Sequence, residues 1–186
     1  RRLCDKFRLL LVFDEIQSGM GRTGKMFAYQ HYGVTPDILT MAKGVGGGLP
    51  LGVTVAKDEI AKLLGYGNHG STFGGNPVSI AAGLAAVRLS DDKLLENVEV
   101  TGDYLVRRLN ELKSKYPNKI KEVRGVGLIV GMELNGEGEE IVKRCFEEGI
   151  LINCTQERVL RFLPPFIINN SDIDKLVNTL DKILSS

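Results

Sequence analysis

No apolar stretch in this sequence approaches the roughly 20 residues needed to span a bilayer, and the N-terminus carries no signal-like apolar segment ending in small residues. A membrane-spanning or secreted protein is therefore not expected. Cysteine is scarce: Cys4, Cys145 and Cys154 are odd in number, widely spaced and free of any C-x-x-C, which argues against a disulfide framework or a zinc site. Reduced thiols in a cytoplasmic protein are the expectation. The two histidines, His31 and His69, stand apart from cysteines and paired carboxylates, so no metal centre is expected. Charge of one sign is also lacking, since 24 Lys and Arg balance 23 Asp and Glu. That balance leaves no basic field for nucleic acid or an anionic membrane surface and favours a small soluble partner. Repeats and low-complexity segments are absent. So is an initiator Met: residues 1–7 are expected to run straight into a strand without a turn or cap, as in a fragment of a longer polypeptide.

What is present is a globular composition, 43% hydrophobic over 186 residues, enough for a sizeable core. Residues 9–13 (LLLVF) form a continuous apolar run ending at Asp14, the pattern of a parallel strand buried on both faces. A glycine-bearing loop, 19–24, precedes a second strand at 38–41, and Lys43 follows at once. A loop at 44–48, a strand at 51–56 and a short helix at 58–64 capped by Asp58 come next. Pro77 suits the first position of a small-residue helix reaching Leu89, whose Ala and Gly content predicts close packing. A boundary is placed near Asp91. Beyond it the pattern predicts a long helix over 94–116, ended by Pro117. Strands at 120–124 and 128–134, a helix at 137–148, strands at 150–153 and 159–162, and a closing helix at 171–184 capped by Ser171-Asp172 follow.

Three chemistry-bearing features fall at strand ends or before a helix: Asp14, Lys43, and the pair Ser71-Thr72. In an open α/β sheet the loops at the carboxyl ends of parallel strands form the ligand crevice, so Asp14 and Lys43 are expected to face one space. A lysine and a carboxylate there suit a pyridine cofactor, the amine forming an imine with an aldehyde and the acid pairing with a protonated ring nitrogen. Taken alone, Lys43 reads as a solvated surface lysine and Asp14 as a turn residue. Arg161 lies in an apolar strand, on the face opposite Leu160 and Phe162, and an arginine there calls for an anionic partner. Gly19-Met20-Gly21-Arg22-Thr23-Gly24 formally satisfies G-x-G-x-x-G, which leaves a dinucleotide-binding domain as a rival reading. Its context is wrong, because Asp14 to Ser18 separate it from the strand and position 43 is a lysine rather than an acid.

The run from Asp14-Glu15-Ile16-Gln17-Ser18-Gly19 to Gly24, then Pro36-Asp37-Ile38, Ala42-Lys43-Gly44, Gly46-Gly47-Gly48-Leu49-Pro50 and Ser71-Thr72-Phe73-Gly74-Gly75-Asn76-Pro77, strongly resembles the class III aminotransferases. These belong to the fold type I pyridoxal-phosphate enzymes, and the resemblance covers essentially the whole chain in the same order. It implies an α/β fold in which residues 1–91 are the C-terminal part of a large, mainly parallel-sheet cofactor domain and residues 92–186 are a C-terminal α+β small domain. By the same resemblance Asp14 pairs with the pyridine nitrogen of pyridoxal 5'-phosphate, Gln17 hydrogen-bonds near the ring hydroxyl, and Lys43 holds the cofactor aldehyde. Thr72, beside Ser71, touches the cofactor phosphate of the neighbouring subunit in a homodimer, and Arg161 grips the substrate α-carboxylate. The plainer readings are a loop hydrogen bond for Gln17, a helix cap for Thr72 and an internal ion pair for Arg161. The stretches 149–155 and 161–165 are most similar to the members that move the terminal amine of N-acetylornithine to 2-oxoglutarate in arginine biosynthesis. Ornithine, 4-aminobutyrate and succinyldiaminopimelate are the other donors in view, and a glutamate-1-semialdehyde aminomutase is a rival isomerase. The family's phosphate loop and ring-stacking residue have no counterpart after Arg1. The segment alone is accordingly expected to be colourless, inactive and poorly folded.

Overall fold

In the computed structural model, which describes residues 1–185, the chain divides into two compact units, Arg1–Asp92 and Lys93–Ser186. The first opens with a short helix, α1 (Arg2–Phe7), closed by Arg8 in the left-handed region at φ 55°. The expected direct run into a strand is therefore wrong: the Leu9 N–H turns back to Cys4 O at 2.8 Å, and residues 8–11 connect helix to strand. Strand β1 (Val12–Asp14) pairs in parallel with β2 (Ile38–Met41), and β2 pairs antiparallel with β3 (Val53–Ala56), in the order β1-β2-β3. Burial of the first strand on both faces does not occur. Leu9, Leu10 and Val12 are 52–58% exposed, because β1 is an edge strand with β2 as its one neighbour among the described residues.

Asp37, at the entrance to β2, ties this sheet together. Its buried carboxylate accepts from Lys57 Nζ (2.6 Å), the Leu11 N–H (2.8 Å) and Arg1 Nη1 (2.7 Å). The Lys57 hydrogen bond, then the Leu11 N–H, then Arg1 hold its pKa far below the ordinary carboxylate range. Helix α2 (Asp58–Ala61) starts where expected but ends three residues short of Leu64, and its cap lies one residue before Asp58. Lys57 occupies its N-cap without a side-chain capping bond, and Asp58 sits in the first turn, where its charge favours the helix dipole. Helix α3 (Pro77–Leu89) has the expected limits. Close packing of its small residues is visible at Gly83, where an added Cβ would meet Leu51 Cδ2 at 2.7 Å and Val45 O at 3.0 Å.

The second unit pairs a long amphipathic helix, α4 (Asp92–Lys115), with a four-stranded antiparallel sheet of order β4-β5-β7-β6 and two further helices. The strands are β4 (Ile120–Val126), β5 (Ile129–Leu134), β6 (Asn153–Thr155) and β7 (Val159–Phe162). The helices are α5 (Glu139–Glu147) and α6 (Asn170–Ser185). Leu105, Leu109 and Leu112 of α4 lie on one helical stripe and meet Val130, Met132, Leu160 and Phe162 in a single core. Strand β6 forms later than the expected 150–153. Gly149 (φ 74°) and Ile150 are used instead to close α5, their N–H groups bonding to Phe146 O at 2.9 Å and Cys145 O at 2.8 Å, in the manner of a glycine C-cap. Helix α6 is capped by Asn169 rather than by Ser171-Asp172. Asn169 Oδ1 accepts the Ser171 and Asp172 N–H groups while Asp172 Oδ2 accepts the Asn169 N–H, a reciprocal capping box. Among the described residues no helix is long and apolar enough to cross a membrane, and no group of His, Cys, Asp and Glu could hold a metal ion.

Candidate active site

Asp14 is the last residue of β1 and stands in register with Thr40 of the parallel neighbour β2. Its Oδ1 accepts the Ile16 N–H at 2.9 Å and the Thr40 hydroxyl at 3.3 Å. Among the described residues both bonds fall on Oδ1, which leaves Oδ2 of this exposed carboxylate open to a ligand. Strand alternation turns the next residue the other way. Glu15 is 4% exposed, and its two oxygens accept the N–H groups of Ala28 (2.7 Å) and Tyr29 (2.8 Å). This buried carboxylate anchors the loop that follows Asp14 onto the 3-10 turn Ala28–His31. Gly19 completes the anchor: its N–H reaches Glu15 O at 3.0 Å, and a Cβ there would come within 2.8 Å of that oxygen. Gln17 sits exposed within this loop.

Lys43 follows the C-terminal end of β2 and is exposed, with φ at 54°. The left-handed conformation costs a non-glycine residue about 1–2 kcal/mol, and backbone strain of this kind clusters at functional positions. The loop is held from beneath. Val45 is buried in the small core of Met20, Leu39 and Met41, and α3 closes on it through Gly83, with Ala82 O only 3.2 Å from a Cβ built at Gly47. Lys43 and Asp14 thus stand at the same ends of adjacent parallel strands, and the pair fits a pyridine cofactor by donor chemistry, an amine and an acceptor for a ring N–H. Ser71 and Thr72 are exposed in a turn whose Ser71 O accepts the Gly74 N–H at 3.1 Å. Neither caps α3. That role belongs to Asn76, whose Oδ1 accepts the Val78 and Ser79 N–H groups at 3.0 and 3.2 Å.

Residues 19–24 fold as successive turns, with Gly24 N–H on Gly21 O and His31 Nε2 bonded to Thr23 O and Oγ1. They open no helix, so the dinucleotide reading of G-x-G-x-x-G fails on the geometry that would bind a pyrophosphate.

In the second unit Arg161 projects from β7 on the face opposite buried Leu160 and Phe162 and is half-exposed. Its Nε donates to Asn153 Oδ1 at 3.2 Å, and among the described residues no carboxylate pairs with it. Among the described residues the internal ion pair that is its plainer reading is not formed. Sequence reasoning assigned no role to Asn153, Glu15 or Thr40. Only Glu15 left a local signal, a second acid placed by alternation on the inward side of Asp14.

The family described as Aminotransferase class-III matches residues 1–184 of this chain. The acetylornithine aminotransferase of Methanocaldococcus jannaschii is 54% identical over 190 residues, which cover 100% of this chain and 46% of that protein. That of Caldanaerobacter subterraneus subsp. tengcongensis is 48% identical over 187 residues, covering 100% and 47%. Among solved structures, the ornithine aminotransferase from Toxoplasma gondii ME49 superposes with a TM-score of 0.92 at 35% identity, over 99% of this chain and 45% of that one. The acetylornithine aminotransferase from Elizabethkingia anophelis gives 0.92 at 33% identity, over 99% and 47%. The chain spans about half the length of the curated relatives it matches.

Proposed function

We propose, because this chain belongs to the class-III aminotransferase family, that it carries the lysine-bearing part of a pyridoxal-phosphate-dependent enzyme that moves the terminal amine of N-acetylornithine to 2-oxoglutarate. The observation that carries this reading is the parallel pairing of Asp14 with Thr40, with Lys43 just beyond the same strand in a left-handed conformation. Residues 1–91 then belong to the cofactor domain and residues 92–186 to the small domain of a cytoplasmic homodimer acting in arginine biosynthesis. The cofactor, when bound, supplies an aldehyde that captures amines and a ring that accepts electrons as a substrate proton departs.

The residues divide the remaining work. Asp14 would pair with the ring nitrogen, where its negative charge would keep that nitrogen protonated. Gln17 hydrogen-bonds beside the ring hydroxyl. Lys43, anchored by the loop on α3, would hold the cofactor aldehyde and, as a free amine, would move the proton at the reacting substrate carbon. Thr72, with Ser71, offers hydroxyls to the phosphate bound by the neighbouring subunit. Arg161 binds the α-carboxylate with its guanidinium fork.

N-acetylornithine is preferred as donor because relatives 54% and 48% identical bear that activity in their names. Ornithine is the second reading, favoured by the Toxoplasma structure at 35% identity. The test is the half-reaction of the complete protein, followed by the visible absorbance of bound cofactor on adding N-acetylornithine, ornithine or 4-aminobutyrate, with Lys43→Ala alongside. The reading expects N-acetylornithine to bleach the colour most efficiently and Lys43→Ala to lack the native absorbance. Faster bleaching by ornithine would overturn the donor, and a native spectrum in Lys43→Ala would overturn the lysine.

A further inference from the structure

Arg161 is flanked unequally. On one side β6 sets Asn153 directly in register with it, and on the other β5 sets Gly131. Directly opposed residues of an antiparallel pair bring their Cβ atoms to about 5 Å, so Asn153 is the side chain best placed to steer the guanidinium. It does so through the atom that leaves the fork free: Oδ1 accepts from Nε, and among the described residues the two terminal nitrogens have no partner. The acceptor is neutral. A carboxylate there would also hold the arginine, but it would cancel the charge that must attract an anion. Position 131 offers no side chain to Arg161, and a Cβ built there would meet Val159 Cγ1 at 3.3 Å.

We infer that Asn153 is a positioning residue for anion capture, orienting the Arg161 fork toward a substrate α-carboxylate without neutralising it. The inference rests on the proposed role of Arg161. An arginine on an open sheet face otherwise samples many rotamers, and ordering it beforehand lowers the cost of binding. Asn153 is exposed and outside the core, so its replacement should not disturb folding.

The experiment uses the complete, cofactor-loaded enzyme and two amino acceptors that differ only in the α-carboxylate, 2-oxoglutarate and 4-oxobutanoate. Asn153→Ala is expected to raise the KM for 2-oxoglutarate about tenfold, the scale of one hydrogen bond to a charged group, with kcat within about twofold and 4-oxobutanoate unaffected. Asn153→Asp, which keeps the acceptor and adds charge, is expected to raise that KM at least as much. Asn153→Gln, a neutral acceptor, should recover part of the loss. Arg161→Lys serves as the reference and should lose most of the preference for 2-oxoglutarate. If Arg161→Lys retains that preference, the role given to Arg161 falls. If Arg161→Lys loses it but Asn153→Ala does not shift the KM, or shifts both acceptors equally, the positioning role alone is overturned. Native melting temperatures and absorbance accompany each variant, and a KM change seen only with a loss of fold would also count against positioning.

Discussion

Lys43 is the residue where local conformation and chemistry conflict. A φ of 54° suits glycine, yet the position holds a long cationic side chain, and the loop keeps it there by burying Val45 and packing beneath α3. A direct consequence concerns stability. In the complete, cofactor-free protein, Lys43→Gly should be more stable than Lys43→Ala by about 1 kcal/mol, because alanine retains the Cβ that crowds a left-handed backbone and glycine does not. Thermal unfolding of the two variants measures this, and equal stability would mean that the backbone relaxes out of the strained conformation. Neither variant carries the amine proposed to hold the cofactor aldehyde, and the comparison is independent of turnover. Lys43, Asp14 and Arg161 could be picked out through the motifs shared with the class III aminotransferases, since Lys43 and Asp14 taken alone read as a surface lysine and a turn residue. Their partners Thr40 and Asn153 could not, because each is chosen by cross-strand register rather than by neighbours along the chain.

Among the elements, α3 matters most to the candidate site because it supports the Lys43 loop. Its start is set by Asn76, with Pro77 in the first turn where no N–H is needed. Asn76→Ala removes an acceptor for two N–H groups and should cost about 1 kcal/mol, whereas Asn76→Asp keeps the acceptor and should stay near the parent stability. Urea unfolding midpoints of the complete protein distinguish them. A loss as large in Asn76→Asp would show that the amide group, not the cap, is what matters. The limits of α3, β2 and β7 were legible in the sequence because composition, proline and apolar runs all agree there. Those of β6 and the cap of α6 were not. Residue 150 looks like the start of a strand but is used with Gly149 to close a helix, a competition decided by which carbonyls the preceding helix leaves unpaired.

At the scale of the molecule the two units are unequal. Among the described residues the second has a continuous core of fifteen buried residues, whereas the first buries four apolar side chains in its cluster and leaves Leu9, Leu10, Phe73, Leu84 and Leu89 more than half exposed. In the first unit the links of Asp37 to Lys57, Leu11 and Arg1 therefore carry unusual weight. The Asp37 pKa is depressed in the folded state, so its contribution is fully present above the ordinary aspartate pKa of about 4 and is lost as the pH falls from there toward the depressed value. Asp37→Asn should melt below the parent protein at neutral pH, and the gap should narrow as the pH drops below about 4. A gap that stays constant between pH 7 and pH 3 would show that the charge on Asp37 contributes nothing to folding.

Much about this protein follows from its residues in order. The family, the alternation of the elements, and the lysine and carboxylate after successive strands are all written locally, in runs of apolar residues and in the glycines and prolines between them. Tertiary structure alone decided the rest. It set the exposure of β1, which depends on what packs against an edge strand. It chose the inward anchor at Glu15, and it paired Arg161 with Asn153 across a strand boundary that the sequence misplaces. The physical reason is common to all three. Burial and register depend on contacts between segments distant along the chain, and a side chain's nearest partner in a sheet is the residue opposite it, not the one beside it in sequence.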